Sequence, residues 1–293
     1  MLLKKGLTLR IIHNIDRSMS EMMLGLESFI PMYMTGQIEP YYFKTPQNGV
    51  FLHFMRSAGT VALTGEAVAG HHSEGRYDLT KAKGEVAYCR RRAEAMLENA
   101  SPLMDIYRED GAARLNAFLL ADSRTPGRRR HILHTPPLCT MEPDYLAALL
   151  EKQGLPEENR QRIRAYARTR REQLETILLT DTVHLELPRL TERAFAQFPP
   201  ALPLSGLFYG QDVPYTYETY LAHLAQTEAF AAAHPRCELE FTGGGAFRNL
   251  QITIHEGQWA MVSKGKSPAI HFVIRHPKLR AAIERFVPPV VEE

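Results

Sequence analysis

Two stretches near opposite ends of the chain share a pattern that limits the possible folds more than any other feature of the sequence. They are VFLHFMRSAGTVALTG at 50–65 and LQITIHEGQWAMVSKG at 250–265. Each has alternating apolar residues, a glycine-containing turn and a Thr or Ser shortly before a terminal glycine. This pattern predicts a β-hairpin in each stretch. It therefore favours an α/β protein with an internal repeat, and two unrelated hairpins in a mixed α/β protein are the alternative.

The residues before each hairpin also look alike, since in both thirds of the chain a helix leads to a strand and then to the hairpin. A helix at 21–29 and a strand at 37–43 precede the first hairpin, and a helix at 217–233 and a strand at 238–241 precede the second. A strand at 7–13 comes before the first of these helices, and a strand at 183–187 before the second.

Apolar residues recur at helical spacing over 86–103, and a break near Ser101 separates this helix from a second one at 102–120. Further helices are predicted at 143–153, 156–180 and 277–286. Further strands are predicted at 131–134 and 269–274.

The segment between the two repeats is predicted to be mainly helical. In the helix at 156–180, apolar residues such as Ile163, Leu174 and Ile177 recur on one face, and the many arginines are placed on the opposite, solvated face. The chain is therefore divided into a first α/β repeat with its following helices at 1–125, a helical insertion at 126–181, and a second α/β repeat at 182–293.

Composition excludes several functional classes. Lys and Arg total 35 against 33 Asp and Glu, and this near-balance argues against a chain that mainly coats DNA or an anionic membrane. No apolar run approaches the roughly 20 residues that cross a bilayer, and the amino end lacks a secretory signal. The three cysteines, Cys89, Cys139 and Cys237, lack CxxC spacing, which indicates reduced thiols. We expect a cytoplasmic protein without membrane contact.

The first hairpin resembles the phospholipase D superfamily, which carries H-x-K-x4-D on one hairpin of each of two repeats. The resemblance implies pseudo-duplicated phospholipase D-like sheets, with histidine as nucleophile toward phosphorus. This chain keeps His53 but has Met55 at the lysine position and Thr60 at the aspartate position. The second copy offers Thr253, His255 and a residue near Ala260. Neither copy can carry out the family's reaction, so we expect no catalytic residue and no enzymatic activity.

Four longer stretches resemble the carboxy-terminal effector half of Firmicutes-type helix-turn-helix transcriptional regulators. They are LRIIHNIDRSMSEM, FIPMYMTGQIEPYYF, AEAMLENASPLM and SPAIHFVIRHPKLRAAIERF, at 9–22, 29–43, 93–104 and 267–286. The resemblance implies a region that senses an unknown small-molecule or protein effector and that can form a homodimer. It implies contact with DNA only through an upstream domain, and it requires no cofactor.

The first repeat is expected to lack its own beginning. A phospholipase D-like repeat needs a strand and a helix before Lys4, and nothing before Leu7 could form a helix-turn-helix. We therefore expect this chain to be part of a longer regulator.

Histidines on the predicted hairpins and strands are the best candidates for a sensor pocket. In a two-repeat fold these positions could converge on the cleft between the halves, which is the usual place for a ligand. His271 and Arg275 are further predicted to share one face of the strand at 269–274. The candidate ligand-binding residues are His53, Met55, Thr60, His255, His271 and Arg275.

Other motifs are weaker. The pair His71-His72 followed by Glu74 lacks a nearby third ligand, so no metal site is predicted. Gly243–Gly245 lacks the spacing of a phosphate-binding loop. Two functional alternatives stay open: a phosphodiesterase-like enzyme that uses His53 in an unrecognised site, and an interaction module whose partner surface is the helix at 156–180.

Overall fold

The computed structural model describes residues 7–15, 30–45, 49–242 and 249–285. Helices and several β-sheets are interspersed along the chain, which confirms the predicted mixed α/β class. The predicted helix at 21–29 and the glycines at 243–245 lie outside the described residues. Within the described residues, no helix combines the length and the apolar character that a bilayer crossing requires.

The chain forms two compact units, 1–104 and 105–293, which we call the first and the second unit. This boundary differs from the predicted segments 1–125, 126–181 and 182–293. Residues 105–107 pair with a strand at the far end of the sequence, and residues 129–132 form a strand inside the same sheet. The segment predicted as a helical insertion therefore supplies part of the sheet of the second unit.

The first unit contains two small sheets. Its elements in chain order are β1 (Leu9–His13), β2 (Ile38–Tyr42), β3 (Phe51–Ala58), β4 (Val61–Val68), β5 (Arg76–Thr80), α1 (Lys83–Glu98) and β6 (Ser101–Pro102). Strand β2 pairs in parallel with β1 and antiparallel with β6, whereas β3, β4 and β5 form an antiparallel meander. Met55, Ala62, Val86 and Cys89 form a small core between α1 and the meander.

The two hairpins that suggested a repeat differ in register. If the two strings matched residue for residue, Val50 would correspond to Leu250, which pairs with Lys264. The counterpart of Lys264 is Thr64, and Thr64 pairs with Met55 instead of Val50. The strings therefore do not correspond residue for residue.

The second unit is built on one seven-stranded mixed sheet with the order β10-β9-β8-β11-β12-β13-β7. Its strands are β7 (Asp105–Tyr107), β8 (Arg129–Ile132), β9 (Val183–Pro188), β10 (Cys237–Thr242), β11 (Leu250–His255), β12 (Trp259–Lys264) and β13 (Ile270–Ile274). Strands β8, β9 and β10 are parallel, and the remaining pairings are antiparallel.

Six helices accompany this sheet. They are α2 (Ala112–Asp122), α3 (Pro143–Lys152), α4 (Glu157–Leu178), α5 (Glu192–Gln197), α6 (Tyr217–Ala233) and α7 (Pro277–Glu284) among the described residues. The helices predicted at 143–153 and 156–180 are confirmed. The helix predicted at 102–120 is wrong over its first part, because Pro102 lies in β6 and residues 105–107 pair with β13, so that α2 begins only at Ala112.

Helices α2, α4 and α6 pack on the same face of the large sheet. Leu115 of α2 contacts the side chains of Trp259 and Met261, and Leu174 of α4 packs with Leu185. Helix α7 covers the opposite face, where Arg130 pairs with Glu186 and also donates to the Glu284 carbonyl. The face under α2 and α4 holds the candidate site.

A buried carboxylate joins α2 to the middle of the sheet. Asp122 Oδ1 accepts from His255 Nδ1 and from Trp259 Nε1, both at 2.7 Å, and Oδ2 accepts from Arg129 at 3.2 Å. Arg129 is 1% exposed and also donates to the carbonyls of Asp122, Thr125 and Gly127. We call these four side chains the Asp122 cluster. A buried guanidinium is tolerated only with such partners.

Replacing Asp122 by Asn should lower the free energy of unfolding by about 3 kcal/mol, because it leaves Arg129 buried without its counter-charge. Both oxygens of Asp122 accept hydrogen bonds, so the NH2 group of an asparagine would point at an N–H donor in either orientation of the amide. Urea denaturation followed by circular dichroism measures the change. The control Asp212→Asn, at an exposed position, should change the stability little. Equal stability of the two variants would contradict the structural role of the Asp122 cluster.

Candidate functional site

A cavity of about 120 Å³ lies inside the second unit, between the large sheet and the helices α2 and α4. Strands β8, β9, β11, β12 and β13 contribute to its floor, and the segments around Pro137 and Gly206 close its sides. A bound water needs only about 10–15 Å³ of such space, so the cavity has room for a small molecule.

The floor of the cavity is more polar than the interior face of a sheet usually is. Thr253 pairs with His131 across β11 and β8, so both side chains point to the same face. Gln251, Ser263 and His271 form a neighbouring row on that face. Side chains on one face of adjacent strands can interact, and here they bring several hydrogen-bonding groups to one place.

His271 is held firmly in this row. Its Nε2 donates to the Ser205 carbonyl at 3.0 Å, and its Nδ1 accepts from Ser263 Oγ at 2.8 Å. The ring also meets the edge of Phe208, with the centroids 5.0 Å apart. Burial lowers the pKa of His271 to about 4, so the ring is neutral near pH 7.

His131 is the second histidine on the floor. Burial, with smaller contributions from the positive charges of Arg170 and Arg129, lowers its pKa to about 4. Its neutral ring offers one donor and one acceptor to the cavity. Burial also raises the pKa of the neighbouring Cys139 thiol to about 11, so this cysteine is protonated at neutral pH.

Arg170 supplies an uncompensated positive charge to the cavity wall. Its guanidinium donates to Gln173 Oε1 at 2.6 Å and forms no ion pair in the parts of the chain that the structure describes. The other charges that line the cavity, Arg129 and Asp122, neutralise each other. A half-buried guanidinium without a carboxylate partner favours the binding of an anion.

Two buried polar atoms on the cavity wall lack a hydrogen bond. Thr135 is 2% exposed and its Oγ1 has no partner among the described residues, and the same holds for Nε of Arg129. Buried polar groups in native proteins are nearly always paired, so the Thr135 hydroxyl has the capacity for a further hydrogen bond.

A glycine allows one wall to close. Gly206 lies so near the ring of Tyr166 that a Cβ at this position would collide with the tyrosine hydroxyl. Tyr166 therefore reaches the segment around Gly206, and α4 and this segment meet beside the cavity.

The predicted site residues of the second unit have different environments. His271 lines the cavity. His255 lies in the Asp122 cluster, where its Nε2 also contacts the Pro126 carbonyl at 3.0 Å. Arg275 pairs with Asp105, and its guanidinium lies 5.0 Å from the centroid of the Phe118 ring.

The three predicted site residues of the first unit, His53, Met55 and Thr60, lie in different environments. His53 is exposed, and its nearest charged partner among the described residues is Glu66, with Nδ1 and Oε1 separated by 4.0 Å. Met55 packs in the small core under α1, and Thr60 is exposed in the turn between β3 and β4. These three side chains therefore do not form one pocket with each other.

Sequence reasoning missed Arg170, His131 and Thr135. The signal for Arg170 was present, because it follows Ile163 and Tyr166 and precedes Leu174 at helical spacing. It therefore belongs to the apolar face of α4, whereas all the arginines of this helix were placed on the solvated face. A charged residue inside an apolar stripe is a recognisable sign of a buried charge.

The comparisons with known proteins do not identify a family: no family model, no curated protein and no solved structure matches the chain. Within the described residues, no three His, Cys, Asp or Glu side chains are placed to hold a metal ion. The His71–Glu74 pair is largely exposed, with Nδ1 and Oε1 3.7 Å apart. The geometry defines a mixed α/β protein whose second unit has a cavity lined by both polar and apolar side chains.

Buried neutral histidines should make the second unit sensitive to acid. Burial lowers the pKa to about 4 for His131, His134 and His271 and to about 3 for His223. The unfolded chain binds protons at these sites below about pH 6.5 whereas the folded chain does not, so stability falls as the pH drops from about 6.5 toward 4. Each histidine contributes up to about 1.4 kcal/mol per pH unit in this window.

Urea denaturation at several pH values measures this effect, with fluorescence of the single tryptophan, Trp259, as a probe of the second unit. The variant His271→Gln should show a pH slope smaller by about one proton. The control His72→Gln, at an exposed position of the first unit, should keep the original slope. A stability that does not change over the window would contradict the neutral state of these histidines.

Proposed function

We propose that this chain is the effector region of a bacterial transcriptional regulator and that the cavity of the second unit is its ligand site. The observation that carries the proposal is a cavity with Arg170 and Thr135 on its wall. Among the described residues, Arg170 forms no ion pair and the Thr135 hydroxyl has no hydrogen-bond partner. Interior cavities with a few polar groups that point inward are typical of small-molecule sites. The resemblance of four stretches of the sequence to effector halves of helix-turn-helix regulators supplies the regulatory context.

Binding without turnover is the activity that this site supports. His271 is fixed by two hydrogen bonds in its neutral form, and Cys139 is held as a thiol. A nucleophile needs an adjacent base or a lowered pKa, and Cys139 has a raised one. The proposed role is therefore to sense a small-molecule effector, with no cofactor.

A signal would come from a difference in ligand affinity between two arrangements of the unit. Helix α4 lines the cavity with Tyr166, Arg170, Gln173, Leu174 and Ile177, and its outer face carries exposed arginines. A ligand that binds one position of α4 more tightly would favour that position. In a homodimer, such a shift would change the spacing of attached DNA-binding domains, and DNA contact would occur through those domains alone.

We propose the duplication and its phospholipase D-like ancestry on the order of elements alone, since the sheets differ. In the first unit the meander is a sheet separate from β1 and β2, whereas β11, β12 and β13 share one sheet with β9 and β10. In the first unit the parallel pair β1 and β2 precedes the meander and α1, and in the second unit the parallel pair β9 and β10 precedes the antiparallel β11, β12, β13 and then α7. The different hairpin registers fit a duplication whose copies diverged by insertion and deletion.

The regulatory function can be tested in the native cell. The gene is tagged at its chromosomal locus, and the DNA that coprecipitates with its product is sequenced. We expect enrichment at a few discrete promoter regions relative to an untagged strain. Absence of any enriched region over the untagged strain would contradict the proposed function.

A cavity-filling variant tests whether the proposed ligand site is used. Thr253→Met should fill part of the cavity and abolish regulation of the enriched promoters, because the larger side chain occupies ligand space. The control Thr176→Met, on the exposed face of α4, should leave regulation unchanged. Reporter expression from an enriched promoter measures both variants. Normal regulation by Thr253→Met would exclude the cavity as the ligand site.

A further inference from the structure

The charged side chains around the cavity indicate the sign of the charge that a ligand would carry. Both carboxylate oxygens of Asp122 accept hydrogen bonds from Arg129, His255 or Trp259, and its charge is balanced by Arg129. Asp122 is therefore not the ion-pair partner of Arg170. The Arg170 guanidinium has five N–H donors, and one of its nitrogens donates to the neutral side chain of Gln173. The planar fork of the remaining donors matches the two oxygens of a carboxylate.

The other walls indicate what else the ligand must contain. Leu115, Leu119, Leu138, Leu174, Ile177 and Leu185 line the same space. A fully hydrophilic ion such as phosphate would place its oxygens against these side chains, and such contacts are unfavourable. An engineered apolar cavity of about 150 Å³ binds benzene, so a volume of about 120 Å³ suits a molecule of about seven non-hydrogen atoms.

Polar groups that line the same cavity as Arg170 can complete the recognition of a carboxylate. The partnerless hydroxyl of Thr135 can donate a hydrogen bond, and the neutral ring of His131 can do so as well. A ligand that accepts the bond from Thr135 would pair a buried hydroxyl that has no other partner among the described residues.

We propose that the cavity binds a small carboxylic acid with a short aliphatic body, whose carboxylate pairs with Arg170 and accepts a hydrogen bond from Thr135. The aliphatic part lies against the leucines of α2 and α4. This inference rests on the proposed ligand-sensing function, because it names the class of ligand that the same site takes.

Isothermal titration calorimetry on the intact chain tests the proposal with three probes. They are 3-methylbutanoate, the neutral 3-methylbutanamide of nearly the same shape, and inorganic phosphate. We expect 3-methylbutanoate to bind, the amide to bind about tenfold more weakly or worse, and phosphate to give no binding heat. Equal binding of the acid and the amide, absence of binding by the acid, or binding of phosphate alone would overturn the proposal.

Substitutions in the cavity wall test whether Arg170 supplies the positive charge that binds the carboxylate. Arg170→Gln should weaken 3-methylbutanoate binding by about tenfold or more, and Thr135→Val by about fivefold. The matched control Arg164→Gln, which removes an exposed arginine of the same helix, should keep the original affinity. Unchanged affinity in Arg170→Gln would overturn the proposal.

The melting temperature without ligand separates binding from folding. Thr135→Val should melt at the wild-type temperature or above it, because the Thr135 hydroxyl has no partner among the described residues. Arg170→Gln should melt close to the wild-type temperature, because the new amide can still donate to Gln173 Oε1. A lower melting temperature together with lost binding would indicate a purely structural role for these residues and would overturn the assignment.

The outcomes also distinguish this inference from the proposed function. Promoter enrichment without 3-methylbutanoate binding would overturn the ligand class and leave the regulatory function intact. Binding that depends on Arg170 in a protein without promoter enrichment would overturn the regulatory function and leave the carboxylate site intact.

Discussion

The second unit depends on one buried carboxylate. Asp122, at the end of α2, binds Arg129 from β8, His255 from β11 and Trp259 from β12. These contacts fix α2 against the centre of the sheet, where apolar packing alone would leave the guanidinium of Arg129 without compensation. The Asp122 cluster also requires a glycine at position 127. Gly127 has φ of +138°, and a side chain there would collide with the His255 ring.

The cavity wall carries a net positive charge because the charges beside it are divided unequally. In the Asp122 cluster, the charge of Asp122 is balanced by Arg129. Arg170, the other arginine on the cavity wall, has the neutral Gln173 as its hydrogen-bond partner. The helix that carries Arg170 still packs through Ile163 and Leu174, which hold the guanidinium at the cavity wall. The same packing that stabilises the unit therefore maintains a site that is complementary to an anion.

Sequence patterns predicted the elements whose apolar periodicity is complete. Helix α4 is an example, since its buried face recurs at helical spacing over its whole length. Strands β5 and β7 were not predicted. Strand β5 carries a short alternation, with Tyr77 and Leu79 between polar residues, but it is almost entirely exposed. Strand β7 has three residues and is defined by its pairing with β13. A local pattern carries little information about a strand as short as β7, whereas the alternation in β5 was a usable signal.

The candidate site was predicted only in part, for a related reason. His271 was found because it lies on a clear strand, and it does line the cavity. The partners of His255 could not be predicted, since Asp122 is 133 residues away in the sequence. Arg170 carried a local signal, its place in an apolar stripe, but only the fold shows that no carboxylate faces it among the described residues.

A crystal structure of the intact chain grown with 3-methylbutanoate tests the central claim most directly. The account predicts electron density for the acid inside the cavity of the second unit, with its carboxylate oxygens about 2.7–2.9 Å from the guanidinium nitrogens of Arg170. Its methyl groups should contact the leucines of α2 and α4. An empty cavity at saturating acid, or an acid bound with its carboxylate away from Arg170, would contradict the account.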